Sequence, residues 1–169
     1  YRAKPDGLTL EVVPFNGLRA PTVFKQAGAE FDIFKLNYIG MFADQPVTLG
    51  IGKNLPYNSV VELQKAKGLK AAALGKTDVS SAGPALVFYL LGLKDAVVVP
   101  GFPSTPEACL AVGRGEAHAY VIAAGSLNEE VKKGYVKPIV ILNTKRAAIF
   151  KDIPAITEVL KLSPDDLGF

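Results

Sequence analysis

LKAAALGKTDVSSAGPALVFYLLG, residues 69–92, reads as a buried strand, a short polar loop and a helix. Leu69 to Leu74 is a short apolar run, Gly75 permits a sharp change of direction, and Leu86, Val87, Leu90 and Leu91 fall at helical spacing. Thr77, Ser80 and Ser81 lie between, at the start of that helix. A helix start has backbone N–H groups without internal partners and a partial positive charge, so it receives an anion unless the sequence supplies one. Three other helix starts do supply one. Ser59-x-x-Glu62, Ser104-x-x-Glu107 and Ser126-x-x-Glu129 match the capping box, in which a hydroxyl and a carboxylate satisfy the first turn from within. Three residues on from Ser80 and Ser81 stand Gly83 and Pro84, and Pro is tolerated in a first turn, where its missing N–H would lack a partner anyway. The expectation is a helix from Gly83 whose end is open to an external carboxylate or phosphate. The alternative is an ordinary water-capped start.

Working outward, helices at 59–67, 83–91, 105–112 and 127–133 alternate with strands at 69–74, 96–99, 117–122 and 136–142. A β-α-β series with short connections implies an α/β fold with a mostly parallel sheet covered by helices. Ligands bind such sheets outside the carboxyl ends of the strands. The loops there, 75–81, 100–104 and 123–126, offer the hydroxyls of Thr77, Ser80, Ser81, Ser104, Thr105 and Ser126 and the N–H groups of Gly75, Gly101 and Gly125. These suit hydrogen bonding to carboxylate oxygens. The flanks carry strand-like runs at 8–13, 31–42 and 47–52, a turn at 44–46, and short helices at 18–27 and 155–162.

The 169 residues allow one domain with a sizeable core, or one lobe and part of another. Hydrophobic content of 49% against 21% charged residues marks a folded chain, and 16 Gly with 12 Pro imply many tight connections. The net charge of +3 is spread along the chain without a dense basic face, which argues against a nucleic-acid partner. No apolar run is long enough for a membrane span.

Catalysis finds little support. The one His, His118, sits in a strand-like run without a G-x-S-x-G motif, and the one Cys, Cys109, lies inside the apolar ACLAV. One His and one Cys cannot build the usual zinc sites, so neither a metal nor another cofactor is expected. Gly75-Lys76-Thr77 resembles the end of a P-loop, but Lys70 stands where its first glycine belongs.

Several stretches together resemble one family, the substrate-binding components of tripartite tricarboxylate transporters, also called Bug proteins. They are Pro5-Asp6-Gly7 with the apolar run after it, Leu55-Pro56-Tyr57-Asn58-Ser59-Val60-Val61-Glu62-Leu63, and the serine-bearing loop 75–83. Val99-Pro100-Gly101-Phe102-Pro103, Arg114-Gly115-Glu116, Gly134-Tyr135-Val136-Lys137-Pro138 and Ile153-Pro154 with Glu158 follow in the family's order. Two departures stand out: the loop GKTDVSSAG is poorer in Gly than the family's, and His118 stands where the family often has Asp.

The resemblance implies a periplasmic-binding-protein type II-like lobe, with helices on both faces of a mostly parallel sheet. It also implies a periplasmic, non-catalytic receptor that closes on a small carboxylate and passes it to the transporter's membrane components. Carried over, Thr77, Ser80 and Ser81 fall in a carboxylate-binding loop, and Gly101, Phe102 and Ser104 in a neighbouring cleft loop. With Gly75 these are the candidate ligand-binding residues. The family is longer than this chain, so residues 1–53 are expected to be part of a first lobe with crossing strands, 54–142 the second lobe, and 143–169 the return. One lobe alone loses half of the ligand's hydrogen bonds, so the chain by itself is expected to bind weakly. The rival readings are an α/β enzyme acting on a small anionic metabolite, and a truncated sensing or interaction module that dimerises.

Overall fold

The computed structural model describes residues 4, 6–13, 18, 22, 25, 28–29, 31–41 and 45–160. The chain divides into two compact units, Tyr1–Phe42 and Ala43–Phe169. Among the described residues of the first unit there is no strand. Residues 8–13, expected as one, form no ladder, and Leu8, Leu10 and Val12 are exposed. An extended run becomes a strand only where a neighbour supplies partner groups. Within the strand expected at 31–42, Ile33–Lys35 forms a single 3-10 turn, because the Asp32 carboxylate accepts from the Phe34 N–H at 2.9 Å. Local side-chain bonding of this kind competes with sheet formation. The helix expected over 18–27 lies largely outside the described residues.

The second unit runs β1 (Val47–Gly52), α1 (Val60–Leu63), β2 (Lys70–Ala73), α2 (Val79–Leu90), β3 (Val97–Pro100), α3 (Thr105–Arg114), β4 (Ala119–Ala123), α4 (Ala124–Lys132), β5 (Val136–Leu142) and α5 (Ile156–Leu160). The strands form one sheet in the order β3-β2-β4-β1-β5. β2 pairs in parallel with β3 and β4, whereas β1 pairs antiparallel with β4 and β5. Four strands therefore point one way, and β1 runs against them.

β1 lies inside the sheet, with Val47 beside both Ala123 and Leu142, and the second compact unit begins at Ala43. Leu49 and Ile51 have no exposed surface, and covering a strand that apolar requires a central place. The C-terminal segment is likewise part of this unit. The Ile141 N–H donates to the Pro154 carbonyl at 2.9 Å, and Ile156 is fully buried in the main core.

Alternation along the strands separates two cores, one on each face. On one face Leu49, Ile51, Ala71, Ala119, Val121 and Val140 pack with Val60 and Leu63 of α1, Val87 and Phe88 of α2, and Ile156 of α5. On the other, Ala72, Tyr120 and Val136 pack with Ala108, Cys109 and Val112 of α3 and Leu127 of α4.

Candidate functional site

β3, β2 and β4 are neighbours with the same direction, so their carboxyl ends at Pro100, Ala73 and Ala123 meet at one edge of the sheet. The antiparallel β1 begins at this edge, where the Ala124 N–H donates to the Pro46 carbonyl at 2.8 Å. The three loops picked out in the sequence are therefore brought together.

The helix after the first of them is not open. α2 begins at Val79, four residues before the expected start, with Asp78 as its N-cap and Pro84 well inside it. Asp78 Oδ1 accepts from the N–H groups of Ser80 (2.9 Å) and Ser81 (3.2 Å) and from the Ser80 hydroxyl. Its Oδ2 accepts from the Gly75 N–H at 2.7 Å. The hydroxyls are engaged as well: Ser80 Oγ accepts from the Leu74 N–H at 2.8 Å, and the Ser81 hydroxyl donates to the Gly75 carbonyl. The expected vacancy is thus corrected, because an aspartate one residue before an apolar run is a strong N-cap and supplies the anion itself. That signal was present in Asp78-Val79-Ser80-Ser81.

The reverse holds at α4. The capping box expected from Ser126 does not form; the helix begins at Ala124, Ala123 is its N-cap, and no side chain caps it. Ser126 lies inside the first turn, and Gly125 and Ser126 are exposed. At the other two starts the hydroxyl half of the box is present, with Ser59 Oγ accepting from the Glu62 N–H (3.2 Å) and Ser104 Oγ from the Glu107 N–H (3.4 Å), while the Glu62 carboxylate accepts from the Asn58 N–H at 2.7 Å.

The remaining candidates sit at the same edge. The Gly101 and Phe102 N–H groups donate to the Ala73 carbonyl at 3.0 and 3.1 Å, tying the β3–α3 loop to the end of β2. Ser80 and Ser81 are buried, whereas Gly75, Thr77, Phe102 and Ser104 are partly exposed. Below the loops, the buried Tyr120 hydroxyl lies 3.0 Å from Thr105 Oγ1; burial pushes this phenol above its ordinary value, against the pull of the Thr105 hydrogen bond. Sequence reading did not single out Tyr120, because its role depends on β4 lying beside β2.

His118 lies at the opposite edge, where its Nδ1 accepts from the Lys70 N–H at 2.9 Å. A hollow of about 220 Å³ beside it is lined by Gly52, Asn54, Leu55 and Arg114 among others. It is remote from the strand ends where an α/β sheet receives ligands. Among the described residues no three His, Cys, Asp or Glu side chains gather as a metal site, and no helix is long and apolar enough to cross a membrane.

Comparison with known proteins gives a family match: the tripartite tricarboxylate transporter family receptor, over residues 1–164. None of the curated proteins matches the chain. Among solved structures, MatC from Rhodopseudomonas palustris with bound malate is similar at 27% identity and a TM-score of 0.61, over 68% of this chain and 40% of that one. A second R. palustris protein, solved with adipate, is 19% identical over 74% of this chain and 47% of its own, with a TM-score of 0.61. A periplasmic transporter structure covers 99% of this chain and 62% of its own at 18% identity, with a TM-score of 0.76. The fold is that of periplasmic binding proteins of this kind. The chain spans less than half the length of MatC.

Proposed function

The chain belongs to the tripartite tricarboxylate transporter receptor family, and from that premise we propose that it is part of an extracytoplasmic receptor that captures a small organic carboxylate and delivers it to the transporter's membrane components without chemical change. The supporting observation is the meeting of three strand-to-helix loops at one edge of the sheet, where Gly75, Thr77, Phe102 and Ser104 are partly exposed. Residues 43–169 form one wall of the binding cleft in this reading. Ser80 and Ser81 shape its loop from beneath, and Gly101 anchors the neighbouring loop to β2. The similar proteins solved with malate and adipate support a carboxylate as the ligand.

An enzyme needs a positioned acid or base at the strand ends. Here Asp78 is committed to backbone amides and His118 to the far edge, which favours binding over turnover. Titration calorimetry with malate, succinate, adipate and citrate tests the reading. The expected result is weak heat, saturating only at about millimolar ligand, for at least one of them, with the ligand recovered unaltered. Micromolar affinity for the monomeric chain overturns the single-wall reading, and conversion of the ligand to a new compound overturns the receptor reading.

A further inference from the structure

We propose that the hollow beside His118, at the edge of the sheet opposite the strand ends, is a second binding site, for a small anion with an apolar body. Arg114 and His118 take the charged group, and Leu55, Val112 and Ala117 take the rest. This site stands apart from the carboxylate cleft of the receptor reading and does not depend on it.

Three chain segments build the hollow. β1 ends at Gly52, whose N–H donates to the His118 carbonyl at 3.0 Å, and the Leu55 N–H folds back onto the Gly52 carbonyl at 3.0 Å. α3 ends at Arg114, and Gly115, in the left-handed conformation with φ of 80°, turns the chain out of the helix. The Gly115 and Glu116 N–H groups donate to the Val112 and Ala111 carbonyls at 3.1 and 2.9 Å, so these oxygens of the helix end are already satisfied. Ala117 and His118 then lead into β4. Val112 and Ala117 are buried and Leu55 is partly buried, which gives the hollow an apolar floor.

The rim favours an anion. His118 Nδ1 accepts from the Lys70 N–H, which puts the proton of the neutral ring on Nε2, and Nε2 has no hydrogen-bond partner among the described residues. The Arg114 guanidinium meets Glu116 only at 3.9 Å, with both side chains more than half exposed. A pairing of that kind is worth little, so the planar fork of donors remains for a ligand. On the Leu55 side the Lys137 ammonium donates to the Leu55 carbonyl at 2.7 Å and adds a fixed cation. The volume of about 220 Å³ exceeds what a bare phosphate or carboxylate group fills, and lies below the roughly 300–1,000 Å³ of drug-sized sites. One ring or short chain carrying a single charge fits both limits.

His118 is the only histidine of the chain, so its two ring C–H signals report on the site directly. The test is a proton NMR titration at fixed pH and ionic strength, with benzoate and with benzyl alcohol, its uncharged counterpart. Benzoate is expected to shift the His118 signals saturably, and benzyl alcohol to leave them in place over the same concentrations. Arg114→Gln, a change at an exposed side chain, is expected to weaken benzoate at least about tenfold through the loss of a charge-assisted hydrogen bond. No saturable shift with benzoate overturns the proposal. Equal saturation by benzyl alcohol overturns the anionic class of ligand, and this comparison needs no variant. A folded Arg114→Gln with the wild-type affinity overturns the role given to Arg114.

Discussion

The Tyr120 hydroxyl on β4 and Thr105 Oγ1 in the first turn of α3 lie 3.0 Å apart beneath the loop edge, and Tyr120 has no exposed surface. The pair fixes the start of α3 against the middle of the sheet. Removing either hydroxyl takes a hydrogen-bond partner from the other. Tyr120→Phe is expected to cost about 1–2 kcal/mol, Thr105→Val a similar amount, and the double variant clearly less than their sum. Urea denaturation of the four proteins measures this, and strictly additive costs would show that the two hydroxyls act independently.

Gly83 puts α2 in close contact with β4. A Cβ at this position would stand 2.5 Å from Val121 Cγ1 and 3.1 Å from its Cβ, both belonging to a fully buried residue. On propensity alone Gly83→Ala should stabilise the helix by up to about 1 kcal/mol. Packing decides otherwise, because a β-branched side chain in a closed core has nowhere to turn, and overpacking costs about 1–3 kcal/mol. The expected outcome is a lower melting temperature, partly restored by Val121→Ala in the same chain. An unchanged or higher melting temperature for Gly83→Ala would show that the helix can shift outward freely.

Features carried by a few adjacent residues were legible in the sequence. Ser59 and Ser104 cap their helices as their spacing indicates, and the alternation of strands and helices from residue 59 to 142 is present. What failed was competition between equally local signals. Ser126-x-x-Glu129 has the form of a capping box, yet the Ala124 N–H bonds to Pro46 and the helix starts three residues earlier. Asp78 takes the cap of α2, and Gly75 lets its second oxygen reach a third amide. Insertion of β1 between β4 and β5 was not legible at all. It joins residues some seventy to ninety positions apart, and nothing in VTLGIG itself distinguishes a central strand from an edge one.

Cys109 has no exposed surface, and its thiol is pushed up to about 12, chiefly by burial, with Glu130 adding and Lys133 opposing. At pH 8 such a thiol is ionised in about one molecule in ten thousand, and only the thiolate reacts. Labelling by a disulfide reagent is therefore expected to be slow in the native protein and to reach its full rate in guanidinium chloride. Native and unfolded rates within a factor of about three of each other would show that the α3–α4 face opens readily.

Arg146 and Glu158 tie the loop after β5 to α5, and their pairing makes stability depend on pH in acid. Arg146 Nε and Nη2 donate to the two Glu158 oxygens at 2.9 and 2.7 Å, and the Ala155 N–H donates to Oε1 at 2.9 Å. The Arg146 guanidinium, followed by the Ala155 amide, holds the Glu158 carboxyl at about 2 against an ordinary 4.5. A carboxyl held low in the folded state contributes its full stabilisation above its unfolded value, and that contribution disappears as pH falls through the folded one. The melting temperature should therefore fall between about pH 4.5 and pH 2 from this pair. Glu158→Gln should remove that part of the slope while lowering the melting temperature at pH 7. Because both side chains are nearly half exposed, raising the salt concentration should weaken the effect in the wild type and leave the variant unmoved. Melting curves at several pH values and two ionic strengths make the comparison, and a variant with the wild-type acid slope would assign that slope to other carboxylates.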